Sequence, residues 1–338
     1  MGERWSMHGA LSNYLLRGVG VFVFLGVLGF SGLPGRGQAS AVLSQVDPAE
    51  AAPAKSDGAD AAIAAASEAI LKNPQDAQAY FRRAYLYMEA SAYDLAIADL
   101  TRAIEINPRF EQAYFRRAFV YMAQTHDDLA VADLTQAIEI DPKYARAFLR
   151  RAYVYTAQGN YDAALADLNA LMQLDPRNEE ALGRRENVYL LKGDFGSAIK
   201  DLNALLERNP QNSGAYNRFA WLLATCPEAG FRDGQKAVVY ATTACDLSQW
   251  RSEPMLDTLA AAYAEAGQFD LAVKWENRVL EFPQGDGDGE KVAGQKARLA
   301  LYEARQAYHV AKYEPHLGLL IVGSGNGGGG NGVGGTGN

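Results

Sequence analysis

Four adjacent arginine pairs recur every 34 residues in this 338-residue chain: Arg82 and Arg83, Arg116 and Arg117, Arg150 and Arg151, Arg184 and Arg185. A guanidinium is permanently charged and forks onto carboxylates through two parallel hydrogen bonds, so ion pairing and anion binding are the chemistry these pairs can do. Neighbours on a helix point about 100° apart, so the two members of a pair do different jobs. The second member recurs together with Asp99, Asp133, Asp167 and Asp201. Further along, both positions change at once: Phe219 and Leu259 stand for the arginine, Tyr240 and Trp275 for the aspartate. Joint replacement predicts an ion pair inside each unit that becomes an apolar contact later, worth about 1 kcal/mol if partly exposed.

The first member of each pair has no such companion in the sequence, and it persists as Arg218. Aromatic and amide side chains, with Leu149 among them, fall beside it at spacings that share one helical face. The candidate binding residues are Phe81, Arg82, Tyr85, Phe115, Arg116, Phe119, Arg150, Tyr153, Arg184, Asn187, Asn217, Arg218 and Trp221. An arginine ladder with aromatic walls suits an acidic extended peptide or a free C-terminal carboxylate. The same residues also suit a plainer role, in which the arginines lie along aromatic surface and keep an acidic protein soluble.

Other chemical signals fail on context. Gly323, Gly325 and Gly328 spell G-x-G-x-x-G inside a low-complexity tail, with no strand before and no helix after. Asp286 and Asp288 resemble the start of a calcium loop, but its twelfth position is Ala297. His8, His126, His309 and His316 show no metal-ligand spacing. Cys226 and Cys245, placed near the top of one helix and ten residues down the next, would lie roughly 15 Å apart, beyond the ~7 Å reach of a disulfide. No catalytic residue, cofactor or metal is expected.

The elements that carry the arginines form a repeat. AQAYFRRAYLYMEASAYDLAIADLTRAIEINPRF starts at Ala77, and copies in the same register start at Glu111, Ala145 and Glu179. In each, Tyr80, Ala84 and Tyr87 or their equivalents make one helical stripe, and Ala96, Leu100 and Ala103 make a second. Pro108, Pro142, Pro176 and Pro210 end the second helix. Ala84, Ala118 and Ala152, with Ala96, Ala130, Ala164 and Ala198, leave room for neighbouring backbones. Helices of 12 to 14 residues need stacking to persist. The expected fold is all-α, a solenoid of antiparallel helix pairs. This spacing of aromatic, Ala, Tyr, Ala, Leu, Ala and Pro resembles the tetratricopeptide repeat over roughly residues 60–283. The resemblance implies a right-handed superhelix with a peptide-binding groove, and it places the first arginine of each pair at or beside that groove.

The chain divides as a signal peptide over 1–41, a disordered linker over 42–58, an N-terminal half repeat over 59–76 and four regular units over 77–212. Two divergent units follow over 213–283, then a loop and capping helix over 284–313, and a disordered Gly/Asn-rich tail over 314–338. Asp127, where other copies have Tyr93, Tyr161 or Phe195, predicts a looser corner. About six extra residues in CPEAGFRDG mark the fifth unit. The divergent pair resembles a C-terminal module common in exported bacterial tetratricopeptide proteins. Arg4 and Arg17, the 16-residue apolar run Gly18–Leu33 and the small Ala39-Ser40-Ala41 site predict a secretory signal cleaved after Ala41. The alternative is an uncleaved anchor, the one route to membrane contact. Net charge is −8, and −10 without residues 1–41, which argues against nucleic acid.

These observations together predict a non-catalytic scaffold that binds a protein or peptide segment in its groove. A self-assembling envelope protein, with Trp221, Trp250 or Trp275 as contacts, is the alternative. An envelope enzyme is the remote one.

Overall fold

The computed structural model describes residues 57–283 and 289–313. The expected signal peptide, almost all of the linker, Asp286 and Asp288 of the acidic loop, and the Gly/Asn-rich tail lie outside them. The chain divides at Ala54–Lys55, and every described residue belongs to the second part.

The described residues form fourteen α-helices and no strand. Helix α1 spans Asp57–Lys72 and begins two residues inside the expected linker. Pairs then follow: α2 (Ala77–Glu89) with α3 (Tyr93–Ile106), α4 (Glu111–Ala123) with α5 (Asp127–Ile140), and α6 (Ala145–Ala157) with α7 (Tyr161–Leu174). After them come α8 (Glu179–Lys192) with α9 (Phe195–Arg208), α10 (Ser213–Thr225) with α11 (Gly234–Leu247), and α12 (Glu253–Glu265) with α13 (Phe269–Leu280). Helix α14 (Gly289–Glu303) packs on α13. Each helix contacts the next in the chain, so the fold is an all-α solenoid of helix pairs.

Local chemistry sets the ends of each unit. Asn107, Asp141, Asp175 and Asn209, each before a proline, have backbones pulled out of the helix, with φ between −125° and −135°. Their side chains accept the N–H of the second residue on, as from Lys143 to Asp141 at 2.9 Å, which makes proline and Asx turn one stop signal. Between the two helices of a unit, one residue adopts positive φ: Ser91, Thr125, Gly159, Gly193 and Gly267. Glycine does this without strain, whereas Thr125 at φ +60° does it with a β-branched side chain. The strained corner thus lies two residues ahead of Asp127. Asp127 itself opens α5, half-buried, its carboxyl pushed up by burial and then by Asp128.

The small-residue positions behave as their spacing predicts: Ala84, Ala118 and Ala152, and Ala96, Ala130, Ala164 and Ala198, are buried at helix crossings. The ion pairs also form. Arg83, Arg117, Arg151 and Arg185 fork onto Asp99, Asp133, Asp167 and Asp201 through bonds of 2.7 to 2.9 Å. The third guanidinium nitrogen donates to the preceding unit, to Ser67, Thr101, Thr135 and Asn169, so each arginine clamps two units. The aspartates are buried, which makes these pairs more consequential than the partly exposed ones the sequence suggested. In the fifth unit the exchange is apolar, Phe219 meeting Tyr240 with ring centroids 5.0 Å apart. In the sixth, Leu259 is buried in the core against which Trp275 packs.

Cys226 and Cys245 are free, buried thiols in that same core. Burial raises both, Cys245 to about 12, leaving them inert apolar fillers.

The C-terminal end departs from expectation. A capping helix over 290–313 is predicted, but α14 stops at Glu303, where Arg305 turns left-handed at φ +57° and Gln306 N–H returns to Leu301 O at 2.9 Å. Residues 306–313 then run back as a non-helical strap that buries Val310 and Tyr313. Those side chains find an apolar core next to α9 and α10 that continued helix would carry them away from.

Candidate binding face

The first helices of the units present the candidate residues along one stripe, and the arginines interleave with the aromatics of the preceding unit. Arg116 lies 5.2 Å from the Tyr85 ring centroid, Arg150 5.5 Å from Phe119 and Arg184 5.8 Å from Tyr153. The cause is register: the arginine stands at position 6 of its unit, the aromatic at position 9 of the one before. Stacking a cation on an aromatic face is favourable and holds the guanidinium flat against the surface. Phe81 packs on Phe110 and Phe115 on Tyr144. Phe115, Phe119 and Trp221 are buried in the core, contrary to the groove wall expected of them, because later helices close over their rings.

Exposure differs sharply along this stripe. Arg82, whose preceding half repeat supplies no first helix, is exposed and lies 3.7 Å from Asp76. Arg116 is 6% exposed. Arg150 is half-buried, and its guanidinium pKa is lowered by burial first and then by the charge of Arg184. Arg184 bonds Glu180 on its own helix at 2.8 Å. Beside it Ala152, Tyr153, Thr156, Ala157, Leu168, Asn187 and Val188 line a recess of about 80 Å³.

The fourth unit breaks the pattern, and three substitutions act together. Asn187 stands where Tyr85, Phe119 and Tyr153 stand, so Arg218 has no ring to rest on. Glu186 occupies the position of Ala84, Ala118 and Ala152, and Gly183 that of Phe81, Phe115 and Leu149. Arg218 turns into the space this opens and donates to Glu186 at 2.8 Å, its Nη2 3.6 Å from where a Cβ on Gly183 would sit. Burial pushes the Glu186 carboxyl up and Arg218 pulls it back. Asn217, only 2% exposed, is thereby closed to a ligand and Arg218 is committed to Glu186, while Arg116, although it lies on a ring, is also buried. The sequence carried this signal as a charge at a small-residue position, and its meaning depends on the next unit's arginine reaching across.

Trp221 restores an aromatic at position 9, but the sixth unit offers the buried Thr258 where an arginine would stack. Arg298 of α14 fills the vacancy, 5.9 Å from Trp221 and 5.7 Å from Tyr308, while donating to Asp257 at 2.7 Å. Beneath it Glu276 is fully buried, its carboxyl raised by burial and then by Asp257. Arg232, in the six-residue insertion, was not singled out by its spacing. It donates to Glu265 at 3.0 Å and to the Cys226 carbonyl at 2.8 Å, tying the fifth unit to the sixth. Among the described residues no group of acidic, histidine and cysteine side chains is arranged to hold a metal ion.

Comparison with known proteins agrees with this architecture. Models of the tetratricopeptide repeat match residues 77–110, 111–144 and 134–166. The crystal structure of PilW, a widely conserved type IV pilus biogenesis factor, superposes with a TM-score of 0.51 at 21% identity, covering 64% of this chain and 98% of that one. PilF of Pseudomonas aeruginosa gives 0.49 at 19% identity over 66% of this chain and 100% of its own. MamA gives 0.44 at 21% identity over 46% and 91%. No curated protein matches the sequence. At 21% identity the PilW structure speaks for the fold alone, and together with the repeat models and the helix pairing it shows that the chain is a tetratricopeptide-repeat protein.

Proposed function

We propose that this protein is a non-catalytic interaction scaffold that holds an extended, acidic segment of a partner protein, or its C-terminal carboxylate, along the first-helix face of the regular units. The observation that carries this reading is the half-buried Arg150 lying on the Phe119 ring, with the buried Arg116 on Tyr85 in the unit before it. Arg150 is held in a partly desolvated place near another cation, on a chain whose net charge is −8. Charge-assisted hydrogen bonds from a ligand carboxylate count most in such partly desolvated places.

Fluorescence anisotropy with a labelled library of acidic decapeptides tests it. Wild type is expected to bind a subset, and Arg116→Glu, Arg150→Glu to lose at least about tenfold with its helical circular dichroism intact, a change of about 1.4 kcal/mol or more. Arg150→Gln, milder for folding, is expected to lose part of the same affinity and part of its salt dependence. Equal binding by all three proteins removes the ladder from the site. The same assay with a labelled second copy of the chain tests self-association, for which the exposed Trp250, stacked on Trp275 at 5.1 Å, offers a face.

We propose export as well, on the layout of residues 4–41. Among the described residues no helix is long and apolar enough to cross a membrane. N-terminal sequencing of the mature protein is expected to begin at Val42; an intact N-terminus assigns the segment to an anchor instead.

A further inference from the structure

The strap over residues 306–313 covers the continuation of the same face. Tyr308 lies against Trp221 with ring centroids 6.2 Å apart, Tyr313 against Phe195 at 5.9 Å, and Val310 is buried between neighbouring helices. Val310 N–H donates to Thr225 O at 2.9 Å, and His309 Nε2 lies 2.7 Å from Glu265. A non-helical segment bound to helix faces through a few buried side chains and one main-chain hydrogen bond is how a repeat solenoid would hold a peptide.

The hold is slight and imperfect. Gln306 N–H closes the turn onto Leu301 O, and after it, among the described residues, Val310 alone of the strap's amides makes a main-chain bond, while Gln306, His309, Ala311 and Lys312 are exposed. In the fourth and fifth units next to it, Glu186 Oε1 and Asn217 Oδ1 are buried with no hydrogen-bond partner among the described residues. Buried acceptors left unpaired are costly, and a segment that brought donors to them would be preferred over the strap.

We propose that the strap is a built-in competitor for the C-terminal part of the binding face. Resting on the reading above, this assigns a composition to the partner segment: acidic where it crosses Arg116 and Arg150, aromatic where it displaces Tyr308 and Tyr313 from Trp221 and Phe195. A partner that reaches only the regular units binds without moving the strap; one that extends past Asn187 has to open it.

Two measurements on the full chain test this. In native-state hydrogen exchange of wild type, the Val310 amide is expected to exchange at least tenfold faster than the central amides of α10 and α12, through local opening. Exchange at the same rate as those helices makes the strap part of the core and overturns the proposal. In the second, a labelled peptide of residues 304–315 is titrated into wild type and into Tyr308→Ser, Val310→Ser, Tyr313→Ser. The variant is expected to bind it at least tenfold more tightly, and a scrambled peptide not at all. Binding to neither protein, or to both equally, overturns the proposal, and if the variant does not fold the exchange result decides alone. None of the strap contacts given above involves Arg116 or Arg150, so their charge reversal leaves both readouts unchanged and the two readings fail separately.

Discussion

Asp133→Ala is expected to lower stability by about 3 kcal/mol, read as a fall in the urea midpoint at unchanged slope. Asp133 is 5% exposed and receives both Arg117 bonds at 2.8 Å. Its loss strands a guanidinium, 15% exposed as a side chain, between the Tyr114 and Tyr121 rings with Thr101 as its remaining hydrogen bond. Uncompensated buried charge, rather than the missing attraction, dominates the cost. The protein supplies its own control, because the fifth unit solves the same problem with Phe219 on Tyr240. Arg117→Phe with Asp133→Tyr is therefore expected to recover most of the loss. A cost below about 1 kcal/mol for Asp133→Ala would mean that water reaches the pair and that it behaves as a surface contact.

Gly234→Ala is expected to cost about 2–3 kcal/mol by overpacking. Gly234 opens α11, and a Cβ there would meet Ala266 N at 2.5 Å, Glu265 C at 2.6 Å and Ala266 Cα at 2.8 Å. All three are backbone atoms at the end of α12, so no side-chain rotation makes room. The start of the fifth unit's second helix and the end of the sixth unit's first would have to separate. Because each unit leans on its neighbours, the damage should reach the Arg232 and His309 contacts on Glu265. Gly230→Ala, where a Cβ meets nothing within 4 Å, is the matched control and is expected to change stability by less than about 0.5 kcal/mol. Equal thermal melting of the two variants would show that this junction yields.

The regular units were legible because their determinants repeat locally. A proline, an alanine or an arginine–aspartate pair 16 residues apart acts within one unit or on the next, and four copies in register read the same message four times. The helix pairs, the small-residue crossings and the internal ion pairs all follow from that periodicity. The burial and partners of the candidate binding residues did not, because they depend on contacts one unit away or more. Arg116 and Arg218 occupy the same position in their repeats, yet one lies on a tyrosine ring and the other turns inward to Glu186. Equally, the helical pattern of residues 290–303 gives no notice that the helix ends at Glu303 and that the chain turns at Arg305 to return across Trp221. By itself the sequence determined the repeated unit and its internal bonds, whose geometry is set by helical spacing. Tertiary structure decided which partner each first arginine takes and where the C-terminal segment lies, since both depend on side chains from distant positions competing for one buried space.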